Sequence, residues 1–313
     1  MKKSPRKLPL HLMLNPKHQL VSGGHAALPK GKSVMPSDTH SRELTRLAWK
    51  PTRVVPVHVK GYGWTPSLRH VDSVPFDFDM FGVVKPKRLP RSVDLRAGCP
   101  PVYDQAKLGS CTANVITAAL EFDLKRQGGR PFMPSRLYIY WNERHQLGVV
   151  GQDAGASIHL SAEVVREFGA CHEADWPYVP AKFAEVPSRK AFESADGLRL
   201  KEAYFLENQD LNALKGALAS GVPFVFGISV YQSFESPIVM HTGLVPLPVR
   251  GEASIGGHAM MAVGYDDVSR LFLVRNSWSA KWGIEGYCWI PYDYLTSPDL
   301  AADFWAIQVV VSK

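Results

Sequence analysis

The stretch DQAKLGSC, residues 104–111, ends in a cysteine, and the residues that follow, TANVITAALEFDLKRQGG (112–129), read as a helix. Val115, Ala118, Ala119 and Phe122 recur at three- and four-residue steps, which marks one buried face. Gly128 and Gly129, after Lys125 and Arg126, form a helix stop. Cys111 therefore stands at a helix N-terminus, where unpaired N–H groups and the helix dipole favour an anion. A thiol in that place is pushed toward thiolate, its nucleophilic form. Most free cysteines are small buried hydrophobes, so the reading depends on partners elsewhere in the chain.

Working outward, the 313 residues suffice for one large domain or two modest ones. No run of 18 apolar residues occurs, and no membrane span is expected. Charge is uneven: residues 1–90 carry 16 Lys and Arg against 5 Asp and Glu, the remainder 20 against 24. A basic arm thus precedes a mildly acidic body and is expected to dock on it. The arm shows no nucleic-acid-binding motif, so no nucleic-acid partner is expected. The opening MKKSPRKLPLHLML has a basic start, but its apolar piece is short and interrupted by His11. A signal peptide is not expected; export by another route stays open and the compartment is unassigned. Cys99, Cys111, Cys171 and Cys288 lack zinc spacing, and neither metal nor cofactor is expected.

Residues 1–60 are rich in Pro, Gly, Ser, His and Lys. Residues 61–88 set Tyr62, Trp64, Phe76, Phe78 and Phe81 among turn formers, without a core pattern of their own. From Leu89 the texture changes. Helices are expected over 111–127, 135–146, 156–168 and 210–221, and strands over 222–230, 258–266, 270–276, 286–291 and 304–311. Helices first and strands later suggest an α+β chain with two lobes and a site between them.

Within the strand-rich half, His258 follows two glycines in IGGHAMMAVGYDD and opens an apolar strand. Asn276 ends the run FLVR and opens NSWSAKWG. An asparagine amide that bonds one imidazole nitrogen orients the ring and leaves the other nitrogen for a thiol. Gln105 can donate its amide N–H to a developing oxyanion beside the Cys111 N–H. Taken singly, each has an ordinary structural reading: a strand-start histidine, a turn asparagine, a loop glutamine.

Their joint order is more specific. Gln105, Cys111 six residues later, Gly-Gly-His before a strand, then Asn-Ser-Trp with a second Trp four residues on, resembles the papain-like cysteine peptidases. LPRSVDLR (89–96) looks like the start of a mature enzyme of that family. CPPVYDQ, GSC and the upstream Gly-Trp-x-Pro resemble a bacterial-type branch. The resemblance implies a papain-like α+β fold of two lobes, an α-helical left lobe (mainly 98–204) and an antiparallel β-barrel-like right lobe (mainly 205–313), with the cleft between. It implies a cysteine endopeptidase acting on peptide or protein substrates, with Cys111 as nucleophile, His258 as acid and base, Asn276 orienting His258, and Gln105 in the oxyanion hole. Trp278 would cover the Asn276–His258 bond and Trp282 floor the primed side, core packing being the alternative for Trp282. Gly155, Ala156 and Gly257 would line the non-primed wall. Residues 1–88 would be an inhibitory pro-segment of a zymogen, with 61–88 in or beside the cleft, and 89–313 the peptidase domain. Cys99 and Cys171, both in the helical half by resemblance, are a candidate disulfide, with two free thiols as the alternative.

The chain also departs from the family pattern. Leu108 stands where a cysteine is usual, Ala154 near where its partner would be, and Gly257 where an aspartate often precedes the histidine. A long helical pro-domain is not evident. None of these changes removes a catalytic group. They leave open a binding protein without activity, and acyl transfer to an amine, although Asn276 in place of aspartate favours hydrolysis.

Overall fold

A central helix and one sheet carry the site. The computed structural model describes residues 61–67 and 73–310, which belong to one compact unit; the basic arm up to residue 60 lies outside the described residues. Helix α1 (Cys111–Arg126) is followed by α2 (Arg136–Gln146), α3 (Ile158–Phe168) and, later, α4 (Leu211–Ala219). Ser135 caps α2 by accepting the Tyr138 N–H at 3.1 Å, and Ser157 caps α3 by accepting that of Leu160 at 3.2 Å. Glycines at φ +72° end two of them: Gly128 stands two residues past α1 and Gly169 directly follows α3. The expected single buried face of α1 is exceeded: every residue from Cys111 to Leu120 is buried. Its small residues let it run through the middle of the molecule with chain on all sides.

The strands are β1 (Ser92–Asp94), β2 (Leu200–Phe205), β3 (Phe224–Tyr231), β4 (Ser254–Asp266), β5 (Leu271–Arg275), β6 (Tyr287–Pro291) and β7 (Ala301–Val309). All pairings among them are antiparallel, in the order β2-β7-β3-β4-β5-β6, with β1 beside the end of β4. Val225, Ala259, Met261 and Val263 point into the core shared with α1, α2 and α3; Phe224, Phe226, Met260 and Ala262 point into a second core on the opposite face. A sheet buried on both faces explains the near-continuous apolar runs FVFGISV and AMMAVGY.

The expected barrel-like lobe is corrected here: the sheet is open. Closure would require β2 and β6 to pair with one another. Each outer edge is taken by another segment instead. Phe205 of β2 accepts the Phe76 N–H and donates to the Val74 oxygen, both at 2.7 Å. Trp289 of β6 donates to the Gly243 oxygen at 2.7 Å and accepts the Val245 N–H at 3.0 Å. With both polar edges covered, nothing drives the ends together.

The candidate disulfide is also absent: Cys99, Cys111, Cys171 and Cys288 are free thiols. One buried acid binds three helices together. Glu143 on α2 accepts from Thr112 Oγ1 of α1 at 3.0 Å and from Ser161 Oγ of α3 at 2.5 Å. Burial pushes its carboxyl up to about 8. Between its ordinary value and 8, the folded carboxyl holds a proton that the unfolded chain has lost, so stability falls as pH rises through that window. Glu143→Gln is expected to leave Tm unchanged near pH 4.5 and to raise it at pH 8–9, a gain on the order of 2–3 kcal/mol. Melting curves of both proteins across this range check the sign.

Candidate active site

Cys111 is the first residue of α1 and is fully buried. The loop before it is laced to the loop after β5. Gln105 donates its backbone N–H to the Ser277 oxygen at 2.9 Å, its side-chain Oε1 accepts from Ser277 Oγ at 2.6 Å, and Ser279 N–H reaches the Tyr103 oxygen at 2.8 Å. With Oε1 committed, the amide nitrogen of Gln105 points the other way, donating to Leu108 O and Gly61 O, each at 2.9 Å.

His258 sits on β4, and the N–H of the next residue, Ala259, faces the Cys111 sulfur. Its Nε2 lies 2.8 Å from Asn276 Oδ1. Because that oxygen also accepts the Ser277 N–H at 2.8 Å, it is the acceptor, and Nε2 carries the hydrogen. Nδ1 is thereby the basic nitrogen; it is buried and makes no hydrogen bond. Trp278 stacks on the imidazole with ring centres 4.7 Å apart, which keeps water from the His258–Asn276 bond. Trp282 stands one ring further back, edge-on to Trp278 at 5.3 Å and stacked on Phe234 at 5.7 Å.

Gly155, Ala156 and Gly257 meet the backbone of residues 63–65. Ala156 donates to Gly63 O at 2.7 Å and accepts the Thr65 N–H at 3.0 Å; Gly257 O accepts the Trp64 N–H at 3.1 Å. Gly155 has φ +69°, and a Cβ there would come within 1.9 Å of the Gly63 oxygen, so only glycine fits.

The charge state differs from the sequence expectation. The helix terminus favours thiolate, and the Ala259 and Gly63 N–H groups act in the same direction, yet burial outweighs them and pushes the Cys111 thiol up to about 11. Burial likewise lowers the His258 imidazole to about 4, against the opposing bond to Asn276. In this covered arrangement burial works against both charged forms, the thiolate of Cys111 and the imidazolium of His258.

A buried thiol at a helix start, and an imidazole bonded to an asparagine under a tryptophan ring, are the side-chain types that a nucleophile, a base and an orienter require. Residues 89–299 match the family model described as papain family cysteine protease. The chain belongs to the papain family of cysteine proteases. This peptidase is 40% identical over 246 residues to a peptidase C1-like protein of Acanthamoeba polyphaga mimivirus, covering 74% of this chain and 79% of that one. The crystal structure of xylellain, a cysteine protease from Xylella fastidiosa, superposes with a TM-score of 0.72 at 37% identity, covering 82% of this chain and all of that one. Procathepsin L of Mus musculus is 28% identical over 222 residues, and the match spans 61% of its length. The chain is a papain-type cysteine peptidase, a hydrolase that works through a Cys-His-Asn triad.

Among the described residues no helix is long and apolar enough to cross a membrane. Three features of the cleft region escaped the sequence reading: Gly227, against which the Trp64 ring lies; Asp303, which accepts from the Trp64 indole at 3.1 Å; and Glu235, which accepts the Tyr62 hydroxyl. The one available signal was an acid in the apolar run ADFWAIQVV.

Proposed function

We propose that the chain is made as a zymogen whose residues 1–88 form an inhibitory pro-segment ahead of a peptidase domain over 89–313, helical mainly over 98–204 and sheet mainly over 205–313, and that residues 61–67 stand in the substrate cleft. The observation that carries this is a mismatch. Gln105 donates to the Gly61 carbonyl, whereas the N–H facing the Cys111 sulfur belongs to Gly63. Hydrolysis needs a single carbonyl to meet both the nucleophile and the oxyanion donors. Here the two groups are engaged by different residues, so the segment fills the cleft without presenting a bond to cut.

Once the segment leaves, water and substrate replace it and the proton shifts from Cys111 to His258. The thiolate attacks the scissile carbonyl carbon, and the oxyanion is held by Gln105 Nε2 and the Cys111 N–H. His258 protonates the leaving amine, then takes a proton from the water that hydrolyses the thioester. Asn276 holds the ring in place and Trp278 shields that bond. Gly155, Ala156 and Gly257 pair with the substrate backbone in extended form, and Trp282 backs the wall of the primed side.

Gln105→Ala is expected to lower kcat by about 10²–10³-fold with little change in KM. Steady-state kinetics on a dipeptidyl amide check it. The function itself is tested by comparing full chain with chain cleaved between residues 67 and 89, using hydrolysis and labelling of Cys111 by a peptidyl epoxide. The cleaved form should turn over and label much faster. Equal rates in an intact full-length sample would remove the inhibitory role.

A further inference from the structure

One exposed acid is bonded to the loop that leads into the nucleophile. Asp153 lies in the connection between α2 and α3, two residues before Gly155. Exposed carboxylates usually face water or a cation. Among the described residues no Lys or Arg pairs with this one. Its two oxygens share the Gly109 N–H, each at 3.0 Å, and Oδ1 also accepts the Tyr140 hydroxyl.

The support beneath it is rigid. Tyr140 is fully buried on α2, and its hydroxyl accepts the Gly155 N–H at 3.2 Å. Arg144, one turn further along α2, is also fully buried. Its guanidinium lies 4.1 Å from the centre of the Tyr140 ring and donates to the Val150 and Gln152 carbonyls at 2.5 Å and 3.4 Å. The loop up to Asp153 is thus fixed from inside although its surface faces water.

What Asp153 holds is one peptide unit, the one joining Leu108 to Gly109. Its N–H goes to Asp153, and its carbonyl, Leu108 O, accepts one hydrogen of the Gln105 amide at 2.9 Å. The other hydrogen of that amide points into the cleft, onto Gly61 O. Ser277 Oγ pins Gln105 Oε1 at 2.6 Å. A single bond leaves the amide plane free to turn about it; the second, to Leu108 O, fixes the plane. That anchor is only as steady as the peptide supplying it. Linked hydrogen bonds also polarise one another, so a carboxylate on the N–H makes the carbonyl a better acceptor. No disulfide steadies the loop, since all four cysteines are free.

We propose that Asp153, braced by Tyr140, is a positioning residue for hydrolysis: it holds the 108–109 peptide and through it aims the Gln105 N–H at the oxyanion. A donor fixed where the oxygen of the tetrahedral intermediate will stand needs no rearrangement as charge develops. Asp153 acts on the reacting oxygen only through Gln105. Because Gly155 hangs on the same tyrosine hydroxyl, the pair also sets the spacing between the oxyanion donor and the wall that pairs with substrate backbone. This rests on the reading that Gln105 serves the oxyanion hole.

The test is a double-mutant cycle between Asp153→Ala and Gln105→Ala, in the full chain carrying Trp64→Ala to open the cleft. Steady-state kinetics on a dipeptidyl amide give kcat and KM for the parent, both single variants and the double. Asp153→Ala alone is expected to lower kcat by about tenfold, with KM moved less than about twofold. In the Gln105→Ala background the same change should cost almost nothing further, because the group it aims is gone. Asp153→Asn should keep most of the rate, since an amide oxygen still accepts the Gly109 N–H. Alkylation of Cys111 by iodoacetamide forms no oxyanion and should keep its parent rate in Asp153→Ala. An unchanged kcat in Asp153→Ala overturns the proposal, as do equal losses in both backgrounds or alkylation slowed in step with kcat. If Asp153→Ala does not fold, as judged by its melting curve, Tyr140→Phe takes its place in the cycle. Those outcomes leave Gln105 in the oxyanion hole. A Gln105→Ala chain as fast as its parent, or a parent without turnover, overturns the underlying reading and this one with it.

Discussion

Cys111→Ala is expected to abolish peptide hydrolysis, lowering kcat by about 10⁶-fold, while the protein stays folded. Members of a nucleophile–base–orienter group act as a unit, so removing one forfeits nearly everything the unit contributes. The thiol is the only atom lost, and the start of α1 is packed independently of it: Asn114 Nδ2 donates to the Ser110 oxygen at 2.9 Å, and Thr112 bonds Glu143. A Tm shift of a few degrees at most is therefore expected, from a cavity of one sulfur atom worth about 1 kcal/mol. His258→Ala should cost nearly as much, since a thiolate without a proton donor cannot expel an amine. Asn276→Ala should retain measurable activity, because it orients the ring and transfers no proton. Turnover of a small peptide amide by the Cys111→Ala protein at a rate near wild type would dismiss the thiol as nucleophile.

Trp64→Ala is expected to raise the activity of unprocessed full-length protein by roughly 10²–10³-fold. Trp64 is 6% exposed and belongs to the same core as Cys111, Ala156 and Val225. Deleting a buried tryptophan ring costs about 3–5 kcal/mol. Here that cost falls on the covered state alone, because a segment that has left the cleft no longer buries the ring. Every 1.4 kcal/mol shifts the covered–open balance tenfold, up to the limit where the chain is fully open. The loss of the indole bond to Asp303 adds to the effect. Replacing Lys2, Lys3 and Arg6 with serine should change activity little, since attraction between charges in water is screened beyond about 8 Å at physiological salt. Initial rates on a dipeptidyl substrate, with gels confirming no processing, measure both. An unprocessed Trp64→Ala chain no more active than wild type would remove aromatic burial as the source of inhibition.

Much of the architecture was legible from short-range pattern. The expected helices at 111–127, 135–146, 156–168 and 210–221 appear within two residues at either end, as do three of the five expected strands, because three- and two-residue periods and glycine stops are written in neighbouring residues; the strand expected from His258 starts four residues earlier, at Ser254. The strand expected from Phe304 starts at Ala301, since the bulge at Asp303 breaks its alternation. Two strands went unread. β1 has three residues, too few for a period, and β2 (LKEAYF) carries Lys201 and Glu202 because it lies toward the sheet edge.

The residues of the site divide along the same line. Cys111, His258, Asn276 and Gln105 were singled out from order and residue type, because few side chains can serve as nucleophile, base, orienter or amide donor; the structure places His258 on Asn276 and Gln105 in the loop before Cys111. Three things depended on contacts made far along the chain. The sheet stays open because segments around Val74 and Gly243 claim its edges. The thiol is raised and the imidazole lowered because residues 61–64 help exclude water, a burial that outweighs the helix terminus. And Asp303 meets Trp64 across 239 positions of sequence, through a bulge that no local period encodes. Periodicity and residue chemistry are properties of neighbours in the chain, whereas edge pairing, desolvation and the partner of a buried carboxylate belong to neighbours in space, and only folding brings those together.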